Sequence, residues 1–119
     1  MRRQTHLILG ALGFIAYTYP LHLVLSLPPE TMLVGFFAAL FGSVMPDVLE
    51  PARDWTHRGL CHSRRAMRFV AYGFVFTAVM GLFEGYFTDL YLAYPASAFF
   101  LGYGVHLLAD SLTPAGLPG

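Results

Sequence analysis

The sequence predicts an all-α integral membrane protein, a bundle of four transmembrane helices, and three observations carry that prediction. Hydrophobic residues make up 56% of the 119 and charged residues only 12%, against about 45–50% and about 25% in a soluble domain. Mean hydropathy is +0.58. Four apolar stretches follow one another, separated by short segments rich in proline and charge. This balance excludes an ordinary soluble globule, and it excludes disorder, which needs low hydrophobicity and high net charge. The length accommodates one domain, residues 1–119. Seven arginines against seven acids give a net charge of zero, so bulk charge does not point to nucleic acid. The single cysteine, Cys61, cannot form an internal disulfide.

The first stretch, Leu7 to Leu27, has the ~20 residues a bilayer span needs, with a kink expected at Pro20. An N-terminal signal peptide over Met1 to Tyr19 is the weaker reading, because no small-residue cleavage site follows. Ser26 is expected to cap the second element, with Pro28 and Pro29 in its first turn, where a missing N–H costs little. That element is expected to reach Val44 and stop at Pro46, which makes it short. The third covers Ala66 to Phe87. The fourth, Ala96 to Ala109, is also short and ends at Thr113-Pro114.

Orientation follows from arginine. Arg2 and Arg3 precede span one, and Arg53, Arg58, Arg64, Arg65 and Arg68 lie between or beside spans two and three. The other two connections carry Glu30 and Asp89 and no base. The positive-inside rule then places both termini and the central loop in the cytoplasm. Gly73, Thr77, Gly81 and Gly85 form a stripe of small residues on span three, and Gly35, Ala39 and Gly42 repeat it on span two. Such stripes let helices approach closely in lipid, within one chain or in a homo-oligomer. In span four, the row Ala98–Gly102 continues into His106 and Asp110 and aims both into the bundle.

The polar residues are where the sequence becomes specific. His6, Asp47, Glu50, Asp54, His57, His62, His106 and Asp110 all fall at cytoplasmic helix ends or in the cytoplasmic loop of that topology. Ionisable residues at the membrane boundary are costly and point to function. His106 and Asp110, four apart, are neighbours on one helical face. They offer two arms of a mixed N/O site, which suits zinc, manganese, iron or cobalt better than calcium or magnesium. The bland alternative is a histidine–aspartate hydrogen bond with no metal. His6, Asp47 and the loop histidines tip the balance to metal.

In Thr56-His57-Arg58-Gly59-Leu60-Cys61-His62-Ser63, a turn at Gly59 can bring both histidines to one point. The guanidinium of Arg58 between them suits a bidentate grip on phosphate, although loop arginines are often plain headgroup anchors. Cys61 beside His62 lacks a third group that would make it a nucleophile. His22 and Glu84 are expected to meet a neighbouring polar group or the interface. Trp55 and Tyr17, Tyr19, Tyr86, Tyr91 and Tyr94 read as interface anchors.

His6-Leu7, Pro46-Asp47…Pro51, His57-Arg58-Gly59-Leu60-Cys61-His62-Ser63 and the long run Gly102 to Gly116 together resemble the inner-membrane metal-dependent hydrolases. These are also called LexA-binding inner-membrane-associated hydrolases. That family is in turn distantly similar to zinc-dependent phospholipase C and to single-strand-specific zinc nucleases, which hold clustered zinc with helix-borne His-x-x-x-Asp pairs. The resemblance implies that His6, Asp47, His57, His62, His106 and Asp110 occupy metal and catalytic positions. Where the family has Pro-Asp-x-Asp-His-Pro, this chain reads Pro46-Asp47-Val48-Leu49-Glu50-Pro51. One ligand is therefore replaced by a carboxylate, or a second metal is lost. The chain ends at Gly119, where the family usually continues into further apolar sequence.

The expectation is thus a multi-pass protein of the cell inner (plasma) membrane that hydrolyses phosphoester bonds with a divalent metal, zinc first, one or more ions. His6, Asp47, His62, His106 and Asp110 would be ligands, with either histidine of the loop able to take the place of the other. Glu50 or Asp54 would act as general base, and Arg58 would neutralise phosphate charge. A site at helix ends reaches a headgroup without lifting it into water, which makes membrane phospholipid the first substrate to consider. The alternative is a non-enzymatic membrane module with a structural metal and a loop that docks a cytoplasmic partner. A metal transporter ranks last, since only His22 and Glu84 approach the midplane. At least three of the five ligands should bring their donor atoms within about 4 Å of one another.

Overall fold

The computed structural model describes residues 3–49, 63–88 and 91–112, which form four helices and, among the described residues, no strand. They are α1 (Arg3–Leu25), α2 (Pro29–Leu49), α3 (Arg64–Phe87) and α4 (Ala93–Ser111). The all-α bundle is as the sequence predicts. Three of the helices, α1 to α3, are long and apolar enough to cross a membrane. Their outward faces are apolar: Ile8, Leu12, Phe37, Phe41, Phe69 and Phe76 are all more than half exposed. Exposed apolar surface on this scale marks a lipid-facing belt rather than a water-facing one.

Several helix ends differ from expectation. Ser26 does not cap α2. It adopts a left-handed conformation, with φ at 54°, and its N–H donates to the His22 carbonyl at 2.7 Å, so it closes α1. Pro46 does not stop α2, which runs three residues further to Leu49. A proline inside a helix removes one ladder hydrogen bond, but Pro46 is fully buried, and neighbouring groups in a packed membrane bundle re-satisfy the backbone it frees. The second span is therefore of full length. α4 begins at Ala93, before the expected Ala96, because its first turn is capped from outside. The carboxylate of Glu84 on α3 accepts the N–H of Ala93 at 2.7 Å and that of Leu92 at 3.4 Å. A negative group at a helix N-terminus satisfies free donors and complements the dipole. Ser63 caps α3, its hydroxyl accepting the Ala66 N–H at 3.1 Å.

The fourth helix runs down the centre, packed against α1, α2 and α3, whereas α1 and α3 barely meet. Small residues set the spacing. A side chain at Gly102 would run into the Ala39 carbonyl, and one at Gly42 into the Phe99 carbonyl, so the α2 and α4 backbones touch. The stripe on α3 is consumed inside the chain: Gly73 lies under the Phe100 ring, Gly81 beside Tyr94 and Gly85 against Leu25. That packing removes the basis for a homo-oligomer built on these glycines. Two of the expected interface tyrosines are also interior. Tyr94 is 1% exposed and pairs with the Thr18 hydroxyl at 2.6 Å; Tyr17 is half-buried and pairs with Ser97 at 2.7 Å. In hydrocarbon, a hydroxyl finds its partner on another helix because no water is available.

Candidate metal centre

Because the helices alternate in direction, the start of α1, the end of α2, the start of α3 and the end of α4 share one end of the bundle. His6 comes from the start of α1, Asp47 from the last turn of α2, and His106 and Asp110 from the last turns of α4. The four meet. His6 Nε2 lies 3.4 Å from Asp110 Oδ1. His106 Nε2 lies 3.2 Å from Asp110 Oδ2 and 3.5 Å from Asp47 Oδ1. The two imidazoles stack face to face, centroids 3.5 Å apart and 13° from parallel. His6, Asp47 and His106 each offer a donor atom within 4.8 Å of the others, a group that could hold a metal ion.

Burial makes this arrangement costly unless its charge is compensated. His6 and His106 are 1% and 0% exposed and Asp110 is 3%. His106 Nδ1 lies 2.6 Å from the Ser43 carbonyl oxygen, which can only accept, so Nδ1 carries the proton and donates. The Nε2 of His106 then faces two carboxylates, and it must carry either a proton or a cation. Two neutral imidazoles and two carboxylates sum to a charge of about −2 for these four groups taken by themselves, and charge brought into the protein has to be compensated. Protonating both imidazoles would balance it, but that stacks two like charges face to face. A divalent ion balances it without that repulsion. The donor set fits such an ion: imidazole nitrogen and carboxylate oxygen suit zinc and its transition-metal neighbours. A ligand histidine that donates its other ring nitrogen to a carbonyl is the common supporting arrangement. The buried Nδ1 of His6 has no hydrogen-bond partner among the described residues.

The sequence points to His6, Asp47, His106 and Asp110, and the structure brings these four together. His62, Glu50, Asp54, His57 and Arg58 lie outside the described residues. Ser43 was not anticipated: its part is played by a backbone carbonyl, and no side-chain pattern announces one. Glu84 does meet neighbouring polar groups, at the far end of the bundle. His22 sits at that end too, with a buried Nδ1 that finds no partner among the described residues.

No curated protein and no solved structure matches the chain. The sequence model of the YdjM inner membrane protein family matches residues 1–118. Together with three helices fit to cross a bilayer, that match places the protein in the inner membrane. With nearly its whole length covered, the chain belongs to the YdjM inner membrane protein family.

Proposed function

We propose that this protein is a metal-dependent hydrolase of phosphoester bonds in a lipid or lipid-linked substrate, working at the cytoplasmic face of the inner membrane. The observation that supports it best is the buried group of two carboxylates and two stacked imidazoles at one end of the bundle. His6, Asp47 and His106 are the ligands in this reading, and Asp110 braces both imidazoles or adds a fourth donor. His62 adds a ligand from the loop, or exchanges that role with His57. Bound there, a divalent ion such as zinc supplies Lewis acidity and makes water a nucleophile near neutral pH. Glu50 or Asp54 takes the proton from the attacking water, and Arg58 steadies the charge that builds on phosphate.

Exposure favours this reading over a purely structural metal in a docking module. The side chains of His6, His106 and Asp110 are 0–5% exposed, but that of Asp47 is 27% exposed. The group is enclosed on the bundle side and open at Asp47. Structural sites are closed, whereas catalytic ones keep a position for water or substrate. The test is release of headgroup or phosphate from phospholipid by purified protein, with and without chelator. Chelator-sensitive turnover that His106→Ala abolishes is the expected result. Turnover no higher than that of His106→Ala, on lipid and on soluble phosphodiesters alike, would refute it.

A further inference from the structure

We propose that the cleft between α3 and α4 seats one acyl chain of an anionic glycerophospholipid, whose phosphate is held by Arg64 and Arg68. The proposal deepens the hydrolase reading by naming its substrate; it rests on that reading for turnover but not for binding. The cleft has a volume of about 200 Å³ and an entirely apolar lining. On α3 it is walled by Met67, Ala71 and Phe74, and on α4 by Leu101, Val105 and Leu108. Two features of the chain leave it open. Gly104 presents no side chain to Val70, and even a Cβ there would only just touch it, at 3.5 Å. α1 and α3 barely meet, so the face of α4 between them is not closed over.

Position ties the cleft to the metal centre. On α4 it extends from Phe100 to Leu108, about 12 Å at 1.5 Å per residue. Leu108 lies between His106 and Asp110 in the chain, so the upper end of the cleft is at their height along α4, on the side of that helix turned away from them. The same face of α3, followed back one turn through Phe74, Ala71 and Met67 at helical spacing, reaches Arg64. Arg68 flanks it four residues on. Both arginines are exposed, and the only acid on α3, Glu84, is at the opposite end of the helix. A hydrocarbon slot leads from mid-membrane to a pair of guanidiniums at the end of the bundle that also carries His6, Asp47, His106 and Asp110. A guanidinium at the membrane boundary matches a lipid phosphate in charge and in donor geometry, and attraction to anionic lipid is worth ~1 kcal/mol per arginine. The tail in the slot and the headgroup at Arg64 and Arg68 would hold the ester at the membrane boundary, at the end of the bundle where His6, Asp47 and His106 meet.

The experiment uses the full chain in nanodiscs of phosphatidylcholine doped with phosphatidylglycerol that carries a photoreactive group midway along one acyl chain. Adducts should concentrate on Met67, Ala71, Leu101 and Val105 rather than on the outward residues Phe69, Tyr72 and Phe76. Ala71→Trp, at an exposed wall position that does not disturb packing, should reduce cleft labelling to the level of the outer face. Arg64→Gln with Arg68→Gln should reduce the preference for phosphatidylglycerol over phosphatidylcholine about fivefold per arginine. Labelling spread evenly over the lipid-facing surface, or unchanged by Ala71→Trp, would overturn the proposal, as would an unaltered headgroup preference in the arginine variant. Labelling needs no turnover. Cleft adducts without hydrolysis would sink only the enzymatic reading, and hydrolysis of a soluble diester without cleft adducts would sink only this one.

Discussion

Two polar regions lie inside this bundle, and they solve the same problem differently. In the middle, Tyr17 meets Ser97 and Thr18 meets Tyr94. These are neutral hydroxyls, each able to donate and to accept; Ser97 gives its proton to the Tyr94 carbonyl and so accepts that of Tyr17. At the arginine-rich end, His6, Asp47, His106 and Asp110 approach one another at 3.2–3.5 Å, but carboxylates only accept. The one imidazole proton whose position the structure settles is given to the Ser43 carbonyl. The first region is complete as it stands. The second sets carboxylate oxygens and imidazole nitrogens around one point, a donor set that suits a cation. The contrast separates polar residues that hold helices together from polar residues that await a ligand, which burial alone does not do.

The largest effect should come from the charged end. His106→Ala removes a proposed ligand and the link to Ser43, and metal affinity should fall by more than about 100-fold, beyond the loss of an outer partner; titration with zinc under a competing chelator measures this. Gly102→Val tests the scaffold common to both regions. Its side chain meets the Ala39 carbonyl, so helices α2 and α4 must separate, at a cost of about 3 kcal/mol in unfolding experiments in detergent. Both regions should fail together.

The smaller effects sharpen the contrast. Glu84→Ala strips the cap from α4 and should lower stability by ~1 kcal/mol with metal binding unchanged. Tyr17→Phe deletes one hydroxyl pair, worth ~0.6 kcal/mol between membrane helices, and should also leave metal binding alone. Acid gives the same separation without a mutation. Ligation needs neutral imidazoles, so protons compete with the metal, and metal held at neutral pH should be lost on acidification. The hydroxyl pairs do not titrate in acid, and helix content should not change. If Tyr17→Phe displaced metal as strongly as His106→Ala, the two regions would not be distinct.

The fold was legible because a membrane imposes it: apolar segments of sufficient length have to be helices, and arginine marks their ends. The four described members of the site were legible for a related reason. Ionisable side chains are so rare in this chain that His6, Asp47, His106 and Asp110 stand out, and an even number of helices brings their ends together. What escaped the sequence was decided by packing. Pro46 reads as a helix stop by propensity, yet α2 continues because Pro46 is buried against its neighbours. Ser26 reads as a cap for the helix after it and instead closes the helix before it. Tyr94 reads as an interface anchor and lies in the core, because the tight approach at Gly35 and a hydroxyl on Thr18 make room and a partner for it. Each of these outcomes depends on a residue far away in sequence.

The claim that the charged end is built around a cation is tested most directly by the metal content of protein purified without added metal. Elemental analysis of the wild type, Tyr17→Phe and His106→Ala, all at matched helix content, decides it. A divalent transition metal, zinc foremost, should be found in stoichiometric amount in the wild type and in Tyr17→Phe, and be absent from His106→Ala. A folded wild type that holds no divalent metal, and takes up none when zinc is supplied, would contradict the account and leave the cluster as a protonated histidine–carboxylate network.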